Sequence, residues 1–225
     1  MAGIQAMINI IYEDNHLLVI EKPINIPVQA DSSNDKDLLT LLKEYIKKKY
    51  NKPGNVYLGL IHRLDRPVGG VMVFAKTSKC ASRLSNQIRK GDFKKTYYAV
   101  VEGNIFQSGL LKDKLLKDTK TNMVKVDDNG KESELYFDKL DYKNDLSLVK
   151  IDLHTGRSHQ IRVQFSSRGY PLYGDHRYNK KCASDSQIAL FAEKISFYHP
   201  ITKEKVEYLL PLPDRYPFNL FNKSV

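Results

Sequence analysis

"LGLIHRLDRPVGGVMVFAKTS", residues 58–78, is the stretch whose reading decides the fold. Its second half, "VMVFAK" (71–76), is a continuous run of β-branched and aromatic residues and reads as a buried strand. Its first half sets His62, Arg63, Leu64 and Asp65 directly before that strand, and Arg66, Pro67, Gly69 and Gly70 follow at once. Aspartate and arginine are costly to bury, and proline and glycine interrupt a ladder. A polar turn inserted between two apolar runs is the pattern of a site mounted on a scaffold.

Outward from this stretch, the chain alternates short strands with a few helices. "INIIYEDNHLLVIEKP" (8–23) predicts two strands about a turn at Asp14-Asn15. Ser32 to Asp35 offer helix caps, after which Leu38, Leu39, Leu41, Leu42, Tyr45 and Ile46 fall on one helical face. That helix ends in "KKKYNKPG", where Lys47–Lys49 read as a solvated end favoured by the helix dipole. Thr77 or Ser78 caps a second helix running to about Lys90, with Leu84 and Ile88 inward. "KKTYYAVVEG" (94–103) is a basic stretch entering a strand. Residues 104–150 are hairpin-like, with turns at Asp128-Asn129-Gly130 and Lys143-Asn144-Asp145. "SLVKIDL" (147–153) is an alternating strand, "GRSHQIRVQFSSRG" (156–169) reads as a helix after a glycine loop, and "ISFYHPITKEKVEYLLPLP" (195–213) as a closing hairpin. The sum is an α+β class with a mixed, largely antiparallel sheet and flanking helices. At 225 residues the chain suits one domain, or one domain with two lobes, spanning 8–225, with 1–7 a loose amino-terminal segment or cloning remnant.

Charge narrows the partner. Lysine and arginine number 36 against 26 acids, a net charge of +10 that points to a polyanion, nucleic acid before membrane. No stretch approaches the ~18 apolar residues of a membrane span, and the opening residues lack the regions of a signal peptide. Cys80 and Cys182 form no C-x-x-C pattern and read as thiols of a reducing cytoplasm, with no zinc site.

Asp65 is the first candidate for chemistry, because a carboxylate can serve as nucleophile, general base or metal ligand. The metal role needs further acids nearby, and its flanks hold none. "HTGRSHQIR" (154–162) gathers Arg157, His159 and Arg162; on a helix Ser158 and His159 each share a face with Arg162. An arginine from here can pair with Asp65 and keep it ionised in a low-dielectric pocket. His62 and His159 read first as hydrogen-bonded framework residues, and His154 and His159 lack zinc-helix spacing. Tyr97 and Tyr98 follow Lys94-Lys95; neighbours on a strand face opposite sides, so only one of them can face a given cleft.

Taken together, "HRLDRPVGG", "KKTYYAVVEG", "HTGRSHQIRVQFSSRGYPLYGDHRY" and the opening "IIYEDNHLLVIEKPINIPV" resemble the RluA family of RNA pseudouridine synthases over about residues 8–213. The resemblance implies the pseudouridine synthase fold with a central RNA-binding cleft, and a single catalytic domain over 8–225. It implies that Asp65 is the catalytic aspartate, Tyr97 the active-site tyrosine and Arg162 the basic partner of the aspartate. Arg63 matches the arginine beside the aspartate, and His62, Arg66, Lys94, Lys95, Arg157 and His159 are the further RNA-binding candidates. Substrate is then a uridine of ribosomal or transfer RNA, handled in the cytoplasm by a monomer with no membrane and no obligate protein partner. Two positions depart from the family's H-R-L-D-x-x-T-S-G: Val68 and Gly69 stand where Thr and Ser are usual. Many relatives carry an amino-terminal S4 RNA-binding domain; the residues before Asp65 match the catalytic domain's own start, so RNA binding is expected from that domain itself.

The implied reaction breaks an N-glycosidic bond, turns the uracil and joins its C5 to the ribose. Nothing is oxidised and no group enters or leaves, so no cofactor and no metal are expected. The uridine must leave its stack and enter a water-excluding pocket. Three routes are open to Asp65: attack on the ribose, addition to the base, or deprotonation at C2′. Two other classes compete. A nucleoside or glycoside hydrolase usually needs a second carboxylate, and none stands out near Asp65. A non-catalytic RNA-binding module would be marked by loss of Asp65, Tyr97 or Arg162, and all three are present.

Overall fold

The computed structural model describes residues 8–31, 33 and 35–221; the reading of 1–7 as a loose segment lies outside them. The chain divides into two compact units, one built from residues up to Lys94 with Lys194–Leu210, the other from Lys95–Glu193 with Pro211 onward.

In the first unit, β1 (Asn9–Glu13) and β2 (Leu17–Lys22) form the expected hairpin. Asp14 closes it, its carboxylate accepting the backbone N–H of His16 and Leu17 at 2.7 and 2.6 Å. The short β3 (Gly59–Leu60) and the central β4 (Gly69–Ala75) follow. β4 lies antiparallel to β2 and to β3. Every residue of β4 is buried, as its unbroken apolar run requires of a strand covered on both faces. Each large aliphatic side chain so buried contributes roughly 1.5–3 kcal/mol. The register matters later: Lys22 lies opposite Gly70 at one end of the β2–β4 pair, and Leu17 opposite Ala75 at the other.

Two helices serve this unit. α1 (Leu38–Lys49) buries Leu38, Leu42, Tyr45 and Ile46, one face of the predicted helix. Its cap is Asp37, which accepts from Thr40 N–H at 3.0 Å, rather than the Ser32–Asp35 cluster. Ser32 and Asn34 lie outside the described residues. α2 (Ser78–Lys90) is capped by Thr77 and buries Cys80 and Leu84, with Ile88 half-buried. Arg83 and Gln87 reach from α2 to the carbonyls of Pro200 and Tyr198, tying it to the hairpin of β10 (Leu190–Tyr198) and β11 (Lys205–Leu209).

In the second unit β5 (Lys94–Glu102) pairs with β9 (Leu146–Leu153), β9 with β8 (Lys131–Lys143), β8 with β6 (Ser108–Lys117), and β6 with β7 (Val124–Val126), all antiparallel. The β8–β9 turn places Asn144 and Asp145 both at positive φ, 52° and 58°, the conformation of a tight two-residue hairpin. α3 spans only Gln160–Ser166. The sequence pattern predicts a helix over 156–169, but His159 takes a left-handed φ of 51° and starts the helix late. Ser158 and His159 therefore precede the helix and share no helical face with Arg162. Mixed helix and mostly antiparallel sheet is the class expected.

The end of the first unit near Leu17 holds a buried carboxylate. Glu13 receives Lys49 at 2.6 Å, Lys76 at 2.8 Å, Tyr45 at 2.9 Å and Tyr50 at 2.8 Å. Burial alone would raise its carboxyl, but these four donors outweigh burial and hold it at about 2. A carboxyl depressed on folding stabilises the native state above its unfolded pKa and loses that stability as pH falls through the folded value. The expected outcome for Glu13→Gln is a loss on the order of 2–3 kcal/mol at pH 7. Urea unfolding at a series of pH values checks it: the difference from wild type shrinks as pH drops from about 4.5 toward 2.

Candidate active site

Asp65 opens a turn closed by the Val68 N–H bond to the Asp65 carbonyl at 3.0 Å. Leu64 and Val68 anchor the turn in the core, at 7% and 1% exposure, while Asp65 between them stays half-buried. The glycines make the exit possible. Gly70 sits at φ 125°, where other residues are strained. A Cβ on Gly69 would lie 3.1 Å from the Lys22 carbonyl oxygen and from Ile24 Cγ2. The chain at 22–24 thus occupies the space that a serine side chain would need at position 69.

Beneath the turn lies Lys22, the last residue of β2 and 1% exposed. Its ammonium donates to the carbonyls of Val68 at 2.8 Å, Arg66 at 3.0 Å and Pro23 at 3.0 Å. Two of these acceptors belong to the Asp65 turn. Burial pushes the ammonium down to about 7, the Asp65 charge acting to raise it and the Arg66 charge to lower it. Lys22 is a positioning residue that the sequence reading missed. Its partners are backbone carbonyls, which leave no mark in the sequence; the one signal was a lysine ending an otherwise buried strand.

The neighbours of Asp65 take different places. His62 accepts the Val73 N–H on Nε2 at 3.2 Å, and its ring lies 5.5 Å from that of Phe93, a framework role. Arg63 is exposed. Arg66 extends to Ser33 Oγ at 2.7 Å and pairs with Asp31 at 3.4 Å and with Asp35.

In the second unit β5 separates the two tyrosines. Tyr98 donates its hydroxyl to Glu193 at 3.4 Å, beside Lys150, and burial together with the Glu193 charge pushes it up to about 12. Tyr97, paired across the ladder with Ile151, projects to the opposite side of the strand. Arg162 on α3 is 5% exposed and donates from Nε at 2.9 Å and Nη2 at 2.7 Å to the two oxygens of Asp175. This fork fixes the plane of the guanidinium. Asp175, thirteen residues on in "YGDHRY", is a second residue the sequence reading passed over. His159 meets the Tyr178 hydroxyl with Nδ1 at 2.8 Å, and the Arg162 guanidinium stands 5.3 Å over the Tyr178 ring. Arg157 is exposed and gives its Nε to the Glu132 carbonyl at 2.9 Å. Lys94 is exposed, whereas burial lowers the pKa of Lys95, whose ammonium lies 3.0 Å from where a Cβ on Gly156 would stand. Lys95 thus meets the "HTGR" loop. Among the described residues no cluster of three or more His, Cys, Asp or Glu is arranged to hold a metal ion, and no helix is long and apolar enough to cross a membrane.

A carboxylate on a clamped turn, a buried tyrosine and a forked arginine stand at the positions that the family resemblance names, and comparison with known proteins bears on the family itself. The RNA pseudouridylate synthase family matches residues 16–167. Ribosomal large subunit pseudouridine synthase C of Buchnera aphidicola subsp. Baizongia pistaciae is 34% identical over 96% of this chain and 70% of its own length. An RNA pseudouridine synthase of Bacillus subtilis is 33% identical over 92% of this chain and 69% of its own. The solved structure of human RNA pseudouridylate synthase domain containing 4 superposes with a TM-score of 0.79 at 20% identity, over 95% of this chain and 92% of that one. The chain belongs to the RNA pseudouridylate synthase family. It is accordingly an isomerase of uridine in RNA, on the pseudouridine synthase fold.

The clamp has a testable signature. A lysine with a depressed native pKa binds fewer protons folded than unfolded, so it makes stability rise with pH between the two values. Unfolding free energy is expected to contain such a rise from about pH 7 to the unfolded lysine value of about 10.4. In Lys22→Met that rise disappears, as denaturant titrations across this range will show.

Proposed function

We propose that this chain converts a uridine of large-subunit ribosomal RNA to pseudouridine, with Asp65 as the catalytic carboxylate. The observation that carries the assignment of Asp65 is its seat: a turn clamped from below by the buried Lys22, in a chain of this family. The relatives' names, ribosomal large subunit pseudouridine synthase C among them, support the choice of RNA.

In this reading Asp65 assists cleavage of the glycosidic bond. Tyr97 packs on the uracil and helps remove the C5 proton. Arg162, its plane set by Asp175, is the basic partner of the catalytic carboxylate. Arg63, being exposed, fits a role with the RNA of a flipped nucleotide. Lys94, Lys95, Arg66 and Arg157 hold phosphates. His62 and His159 contribute by supporting the backbone and Tyr178 more than by touching RNA. The isomerisation balances without a cofactor. Residues 8–225 act as one catalytic domain, in the cytoplasm, where Cys80 and Cys182 remain free thiols, and as a monomer without an obligate partner.

The test is pseudouridine mapping of ribosomal and transfer RNA after deletion of the gene and its restoration as wild type or Asp65→Asn. One or a few sites in large-subunit RNA should vanish and return only with Asp65. Purified Asp65→Asn should still bind the target RNA while turnover falls by a factor on the order of 10⁴ or more. Return of the sites with Asp65→Asn would remove the carboxylate from the mechanism.

A further inference from the structure

The first unit carries a second concentration of positive charge, at the end of its sheet away from Asp65. From Tyr45 to Leu64 the chain has no acidic residue and four lysines at 47, 48, 49 and 52. Lys76, just past β4, joins them: its ammonium stands 4.7 Å over the ring of Tyr50, with Lys49 at 5.5 Å and Lys52 at 5.9 Å. The one carboxylate in the group, Glu13, is sunk below the surface at 5% side-chain exposure and is consumed by Lys49 and Lys76. Lys47, Lys48 and Lys52 are exposed and have no acidic partner among the described residues.

The helix dipole explains cations in the last turn of α1 but not this whole arrangement. Lys52 lies beyond the cap, and the Tyr50 ring that gathers the lysines is itself 45% exposed. Cations around an exposed aromatic ring are the footprint of a nucleic-acid surface. The sheet register gives its distance from the turn. Lys22 and Gly70 lie at the Asp65 end of β4, and Ala75 precedes Lys76 at the other. The seven residues of β4 span roughly 20 Å at about 3.3 Å each.

We propose that the exposed Lys47 and Lys48, in the last turn of α1, together with Lys52 beside the Tyr50 ring, form a second RNA-docking surface that grips the phosphate backbone of the substrate about one strand length from Asp65. The proposal rests on the RNA-isomerase reading above. An A-form RNA stem rises by about 2.8 Å per base pair, so 20 Å corresponds to roughly seven base pairs, and only an RNA extending that far from its target uridine reaches the surface.

The experiment compares Lys47→Gln/Lys48→Gln/Lys52→Gln with wild type on two RNAs, a long target stem-loop and one cut to about three base pairs from the uridine. Binding is measured from 50 to 300 mM salt, and turnover alongside. On the long RNA the triple variant should bind about ten-fold more weakly near 150 mM salt. The slope of log K against log salt should fall by about 2, with kcat unchanged. On the short RNA the two proteins should match. An unchanged slope on the long RNA, or equal losses on both RNAs, overturns the docking surface. Wild type that binds both RNAs but isomerises neither overturns the functional reading instead, and the slopes still decide the surface. Equal thermal melts confirm that the exposed substitutions leave the fold intact.

Discussion

The arrangement of the first unit depends on where the Lys22 ammonium goes. A cation taken from water is tolerated only if its donors are satisfied, and here three carbonyls meet them. The chain between Arg66 and Val68 must return to β2 to provide two of those acceptors. Gly69 suits this close approach, because a Cβ there would stand 3.1 Å from the Lys22 carbonyl oxygen and from Ile24 Cγ2, so that the chain at 22–24 would have to give by a few tenths of an ångström. Gly70, at φ 125°, carries the backbone into β4 in a conformation that other residues adopt only with strain. The position of the Asp65 backbone follows from these fixed points. Placing a functional group on a turn tied to a buried strand gives it the rigidity of the sheet and the exposure of a loop.

The second unit solves the same problem with side chains. Arg162 lies on a helix of two turns, too short to be stable by itself, and the Asp175 fork supplies what the helix lacks. The pair is nearly inaccessible to water, so removing either partner would strand a buried charge at a cost of about 3–5 kcal/mol. Around it Gln160 joins Thr155, Arg157 N–H, the Glu134 carbonyl and Gln164 in one hydrogen-bonded set. The polar stretch that preceded the helix in sequence thereby becomes its foundation.

Much of this was legible in the residues. The buried face of α1, the hairpin ends at Asp14 and at Asn144-Asp145, and the fully covered β4 follow from periodicity and turn chemistry, which are local. What was misread was local as well, but degenerate: Asp37 caps α1, although Ser32–Asp35 offered the same chemistry a few residues earlier. "GRSH" has no helix breaker after its glycine, yet His159 turns left-handed and shortens α3. Lys22 and Asp175 were invisible for a different reason. Each acts across a long sequence separation, Lys22 on Arg66 and Val68 through carbonyls common to every residue, Asp175 on Arg162 through a fold not yet formed. The choice of Tyr97 over Tyr98 came from family likeness; pattern established only that the two part company.

That parting has a consequence for how the chain can vary. Tyr97 and Tyr98 are the same side chain, made chemically unequal by the pleat of β5, and Tyr98 is committed to Glu193 and Lys150. A deletion of one residue before them would set Tyr98 in the place of Tyr97 and Ala99 in the place of Tyr98, and would turn Lys95 and Thr96 over as well. Thr96 would lose Asp152, and Lys95 would leave the "HTGR" loop. A change in the length of β5 therefore disturbs all of these contacts at once, and gaps in any alignment should fall in the hairpin turns that follow it.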